Sequence, residues 1–181
     1  MEIEIRARIN NLDNFLVALN KLPGIKTKKM SARQVDTYLK HSLDKERKII
    51  FRIRRKANKA IFTLKTKSQH DKKDVAWKDI DIQFDEPDRL EDILLNSGYE
   101  YVVLIDKVRD SFQYQKYEIN IDNIRDLGYF VEIECMCDQN KSKVIDSEIV
   151  SMREILLSLG CENDDIIERG YVQLMEEKVN K

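Results

Sequence analysis

Residues 2–9, EIEIRARI, alternate charged and apolar side chains without a break. As a strand this stretch has Glu2, Glu4, Arg6 and Arg8 on one face and Ile3, Ile5, Ala7 and Ile9 on the other. One such strand is ordinarily a half-exposed member of an antiparallel sheet. Here the pattern returns along the whole chain, and its charges are sorted by strand. Glu2/Glu4, Asp79/Asp81 and Glu132/Glu134 are acidic pairs at i and i+2, whereas Arg52/Arg54, Lys65/Lys67 and Lys107/Arg109 are basic ones. Asp, Glu and Lys are poor strand formers, so their repeated sorting within strands has a purpose beyond solubility.

Between these segments lie few helical patterns. Leu12, Phe15, Leu16 and Leu19 recur at helical spacing behind Asp13, which is expected to cap the helix, and Pro23-Gly24 ends it. A second helix follows Pro87 and stops at Gly98; two amphipathic helices close the chain, one through Ile145–Leu159 and one holding Ile166, Ile167, Val172, Leu174 and Met175. About eight strands in meander order predict a mainly antiparallel α+β fold: an eight-stranded closed β tunnel. Apolar faces turned inward would leave the amphipathic helices no surface to cover. The expected arrangement is therefore a charged interior with helices packed outside, in one domain over residues 1–181 that includes the terminal helices of 142–180.

Inward charge is costly unless paired, hydrated or ligand-bound. Opposed basic and acidic walls suit a polyanion gripped by cations and bridged to carboxylates by a divalent ion, because Mg²⁺ is held by one or two carboxylates plus substrate phosphates. A triphosphate meets that description. Composition closes off other classes. Lys and Arg number 32 against 33 Asp and Glu, so no field of one sign favours nucleic acid. No apolar run approaches the ~20 residues of a membrane span. Cys135, Cys137 and Cys161 make an odd set with no partner pair at zinc-site spacing, which reads as incidental thiols in a reducing cytoplasm. His41, His70 and Trp77 are read as surface or packing residues. Basic residues at Lys26, Lys28, Lys29 and Arg33 raise an RNA reading that lacks an aromatic strand for stacking.

Several short segments resemble one family in its order. EIEIR is similar to the ExExK signature of CYTH-domain proteins, the triphosphate tunnel metalloenzymes, which include class IV adenylyl cyclases and thiamine triphosphatases; QVDTYL, FRIRR, FTLK, DKVR, LGYFVEIE and GYVQLM follow. The resemblance implies a metal site of Glu2, Glu4, Asp122, Glu132 and Glu134 for Mg²⁺ or Mn²⁺. It implies phosphate contacts from Arg6, Arg52, Arg54, Lys65, Lys107 and Arg109, and a catalytic pair of Tyr38 and Lys65. Arg6 stands where the family has lysine, exchanging a compact ammonium for a planar fork.

The implied activity is metal-dependent hydrolysis of a nucleoside, organic or inorganic triphosphate. The alternatives are adenylyl cyclase chemistry, which expels pyrophosphate from ATP, and a polyphosphate- or nucleotide-binding module. DTYLKHSL stands where bacterial cyclases carry HFDTP, and Ile50 and Phe51 precede the arginine pair where thiamine triphosphatases have a stacking aromatic. Both departures favour a hydrolase of other triphosphates. The expected partner is a small-molecule substrate, with the protein a monomer or homodimer.

Overall fold

The computed structural model describes residues 2–45, 49–56, 59–67, 76–137 and 142–179, with Thr66, Lys67, Ala76, Trp77, Lys78, Ser142 and Lys143 described by backbone alone. His70 and the side chain of Trp77 lie outside that set. The elements run β1 (Glu2–Arg8), α1 (Leu12–Asn20), β2 (Lys26–His41), β3 (Ile49–Lys56), β4 (Lys59–Lys67), β5 (Ala76–Phe84), α2 (Pro87–Asn96), β6 (Tyr99–Tyr114), β7 (Tyr117–Ile124), β8 (Gly128–Met136), α3 (Ser142–Ser158), a 3-10 turn, β9 (Ile166–Ile167) and α4 (Tyr171–Val179). The strands form one antiparallel sheet in the order β5-β4-β3-β2-β6-β7-β8-β1-β9, and β5 also pairs with β1 through Glu2–Trp77 and Ile3–Ala76.

The described residues contain nine strands rather than eight. The ninth is Ile166–Ile167, expected in the last helix; it pairs instead with Arg6 and Ala7 of β1. Two consecutive β-branched residues there favour extended backbone over a helix start. The cap of α1 also differs from expectation. Asn11, not Asp13, accepts a hydrogen bond from the Asn14 N–H at 3.0 Å.

Alternation sorts the sheet's two faces as expected along most of its length. Ile3, Ile5, Ala7, Ile119, Ile121, Val131 and Ile133 turn away from the charged face and pack beneath Phe15 and Leu19 of α1 and Met152 and Leu156 of α3. Each such large side chain fully withdrawn from water contributes about 1.5–3 kcal/mol. This is the larger of two apolar clusters, and it lies outside the charged face.

The smaller cluster corrects the expectation that every helix packs outside. Tyr171, Leu174 and Met175 of α4 pack on Ile105, Ile124, Phe130 and Tyr38. Ile105 shares a face with Lys107, Ile124 with Asp122, and Phe130 with Glu132, since each pair is two residues apart in a strand. The charged face therefore ends in an apolar zone, and α4 sits on that zone.

Candidate functional site

Against the charged face lies a cavity of about 680 Å³. Carboxylates of Glu2, Glu4, Asp79, Asp81, Glu118, Glu132 and Glu134 line it, together with cations of Arg6, Lys28, Lys29, Arg52, Arg54, Lys56, Lys65, Lys107 and Arg109. Tyr38, Ile50, Tyr171 and Val172 form its apolar portion. Strand parity accounts for nearly all of these positions. Lys28 and Lys29 are the exception, because neighbours in a regular strand face opposite ways. The β2–β6 register slips between Thr27 and Lys29 and again between Lys29 and Ala32, and Ser31 takes φ 51° with its N–H bonded to Asp110 Oδ1 at 2.6 Å. This irregularity turns both lysines to the cavity, as bulges re-aim side chains elsewhere.

Three carboxylates gather at one side. Glu2, Glu4 and Glu134 each offer an oxygen within 4.8 Å of the others. Burial, reinforced by the Glu2 charge, pushes the Glu134 carboxyl up to about 8. Burial and then Glu4 likewise raise Glu2, while Lys65 draws it back. Such mutual repulsion is what a bound cation relieves, and an all-carboxylate donor set suits a hard divalent ion.

Glu132 and Asp122 stand apart from that cluster. Glu132 accepts from Arg6 Nε at 3.1 Å and also pairs with Arg109. Although burial alone would raise its pKa, Arg109, Arg6 and Lys107 hold Glu132 well below the usual carboxylate range. Asp122 is fully buried behind the cavity wall, accepting from Lys107 Nζ at 2.9 Å and from Arg109 at 2.6 and 2.5 Å. Its pKa is lowered by Lys107 and Arg109 against the opposing effect of burial.

The cationic wall is braced in the same manner. Arg54 forks onto Asp36 at 2.7 and 2.6 Å, and Lys65 reaches Asp79 at 2.7 Å. Arg52 Nη2 donates to Thr63 Oγ1 at 2.9 Å, and Thr63 in turn donates to Asp81 at 2.6 Å. Tyr38, opposite Arg52 in register, lies where the apolar zone begins. Among the described residues, Arg52 Nε, Gln34 Oε1, Asp79 Oδ1, Tyr171 Oη and Asn120 Nδ2 are buried without a hydrogen-bond partner. Buried polar atoms left so are expensive, and those of Arg52, Gln34, Asp79 and Tyr171 belong to residues that face the cavity.

Sequence reasoning passed over Lys56 as a site residue. Burial, then Arg54 and Arg109, push its ammonium down to about 8. Its place two residues beyond Arg54 on the same face was the available signal. Lys28, Lys29 and Tyr171 were also missed as lining residues, the lysines because the β2 slip has no local signature.

A family model, the CYTH domain, matches residues 1–171. The chain belongs to the CYTH family. A CYTH relative of Methanocaldococcus jannaschii, described as a putative adenylate cyclase, is 27% identical over 177 residues, 96% of this chain and 98% of that one. Among solved structures, a conserved hypothetical protein of Pyrococcus furiosus superposes with TM-score 0.82 at 22% identity, over 96% of this chain and 99% of that one. A putative adenylyl cyclase of Hippeastrum, described as having a dominant triphosphatase activity, superposes with TM-score 0.67 at 16% identity, over 100% and 97% of the two chains. At those identities the likeness to solved structures is one of fold. No described helix is long and apolar enough to cross a membrane.

Proposed function

We propose that this CYTH protein hydrolyses a triphosphate with the aid of a divalent cation, in the cavity against the charged face of the sheet. One observation carries the reading: the Glu2–Glu4–Glu134 cluster and the Arg52–Arg54–Lys56–Lys107–Arg109 wall border the same cavity. A metal–triphosphate complex meets both at once, and neither a free anion nor a free cation does. The three glutamates would hold Mg²⁺ or Mn²⁺, which supplies charge neutralisation and polarisation of a phosphoryl oxygen.

The chain's own residues then do the positioning that phosphoryl transfer requires. Arg52, Arg54, Lys56, Lys107 and Arg109 hold non-bridging oxygens, with Arg54 oriented by Asp36, Lys107 and Arg109 by Asp122, and Arg52 by Thr63. Water attacks the terminal phosphorus, the bond to the bridging oxygen breaks, and orthophosphate departs from the remaining diphosphate. Glu132 is held ionised by two arginines and is a weak base, which leaves the proton of the attacking water to a carboxylate of the Glu2–Glu4–Glu134 cluster. Lys65, close enough to Glu2 to lower its pKa, would neutralise the leaving oxygen, with Tyr38 paired in register with Arg52 where the apolar zone begins.

Hydrolysis is preferred over cyclisation because charged side chains make up most of the lining, and its two tyrosines, Tyr38 and Tyr171, are taken up in the apolar cluster about α4. The relative from Methanocaldococcus jannaschii keeps cyclase chemistry as the competing reading. Incubation with tripolyphosphate and ATP under Mg²⁺ or Mn²⁺, with separate assays for orthophosphate, pyrophosphate and cyclic nucleotide, decides between them. Orthophosphate release that Glu4→Gln abolishes is expected. Pyrophosphate with cyclic nucleotide as the products would replace hydrolysis with cyclisation, and no turnover of either substrate would end the enzyme reading.

A further inference from the structure

We infer that Arg6 is a positioning residue that locks α4 onto the inner face of the sheet, in place of the phosphate contact its location in the family signature implies. Each nitrogen of its guanidinium is taken by a protein acceptor. Nε donates to Glu132 Oε1 at 3.1 Å, Nη2 donates to Glu4 Oε1, and Nη1 donates to the Arg169 carbonyl at 3.0 Å. The guanidinium carbon also lies 5.2 Å from the centre of the Tyr171 ring, and only 6% of the residue is exposed. Arg6 thus joins β1, β8 and the chain entering α4 at one point.

A lysine cannot reproduce this junction. Its single nitrogen is a point donor, whereas the guanidinium is a rigid fork whose donors diverge toward three acceptors on separate elements. The rest of the α4 seat is arranged about the same point. Ile167 of β9 pairs with Arg6 through the backbone, Lys107 Nζ lies 5.2 Å from the Tyr171 ring centre on the same side chain's aromatic surface, and Phe130 meets that ring edge-on at 5.3 Å. Arginine at this position therefore makes α4 a fixed floor of the cavity, and it does so by withdrawing one cation from the anion-gripping set.

The test compares wild type, Arg6→Lys and Arg6→Gln by two measurements made without metal. Hydrogen–deuterium exchange in the absence of ligand follows residues 171–179, with α3 as internal reference. Both variants are expected to raise exchange in α4 about tenfold or more while α3 is unchanged. Calorimetric titration with tripolyphosphate is expected to give the two variants the same affinity within about twofold, because a lysine restores the charge without restoring the fork. Unchanged exchange in α4, an equal rise in α3, or recovery of wild-type affinity in Arg6→Lys but not Arg6→Gln would each overturn the lock. The exchange measurement needs no ligand, so failure of the metal-free anion to bind wild type leaves the lock to be judged on exchange alone, while the proposed function is judged on turnover of the metal–triphosphate complex.

Discussion

Asp122→Asn removes one negative charge and changes no volume, at a residue that is fully buried and anchors two cations. Lys107 and Arg109 have side chains only 3% and 11% exposed, so water cannot replace the lost carboxylate. Arg109 retains Glu132 as a second partner, whereas Lys107 loses the counter-charge at 2.9 Å, must share the single amide oxygen of asparagine with Arg109, and keeps the like charge of Arg109 beside it. Breaking a buried pair at one partner costs about 3–5 kcal/mol, most of it the desolvation of the stranded charge. For a domain of this size each kcal/mol shifts Tm by about 2–4 °C, so a fall of about 6–20 °C is expected in thermal melts with chelator present. Tripolyphosphate added in the same buffer should recover more Tm in Asp122→Asn than in wild type, since the anion supplies the missing counter-charge. A variant that melts within about 2 °C of wild type would refute the reasoning, because Asp122 would then not be holding buried cations in place. A smaller recovery in the variant than in wild type would refute it from the other side, by making Asp122 a contributor to anion binding instead of a competitor for it.

Metal-free stability should fall from about pH 5 to about pH 8, because the Glu134 carboxyl titrates from an unfolded value of 4.5 to about 8 in the fold and the folded state binds the extra proton throughout that interval. Glu134→Gln or saturating Mn²⁺ should flatten the decline in Tm measured across that range, and a wild-type slope of zero would count against the carboxylate cluster. Divalent affinity should rise over the same pH interval with proton release, readable by calorimetry in buffers of different ionisation heat. Lys56→Gln relieves crowding by Arg54 and Arg109, so it should leave Tm equal or higher without ligand while weakening tripolyphosphate binding by about tenfold, the low end for a hydrogen bond to a charged group. An unchanged affinity would place Lys56 outside the anion's reach.

The strands and the sign of their faces were legible because period-two alternation holds wherever a strand is regular: Arg52 with Arg54 and Glu132 with Glu134 fall on the cavity side as their spacing requires. Pairings within that face were not legible. Nothing local to Asp122 says that its carboxylate faces Lys107 and Arg109 rather than Glu134, since register between β6 and β7 decides it. Lys29 escaped for a related reason, as a slip in pairing between β2 and β6 has no signature in the lysine run itself. Ile166–Ile167 and the seat of α4 were missed because two residues are too few to show a period even where β-branching favours a strand, and an amphipathic helix carries no mark of which apolar surface it will find.

That surface was nevertheless written in the strands. Ile50, Ile105, Ile124 and Phe130 keep the parity of the charged residues and replace charge with hydrocarbon at one end of the face. An interior charged from end to end would need a counter-ion or water for every group along it. Ending the charge in an apolar zone lets α4 cover that end at a gain in buried area, and it brings the Tyr171 ring beside Arg6 and Lys107. The charges beside α4, Arg6 and Lys107, are accordingly paired, through Glu132 and Asp122. The unsettled ones, Glu2 with Glu134 on one side and Lys56 on the other, still border the cavity. The fold thus neutralises its inner charge where the helix must seat, and leaves opposite imbalances where a metal-bound anion can resolve both.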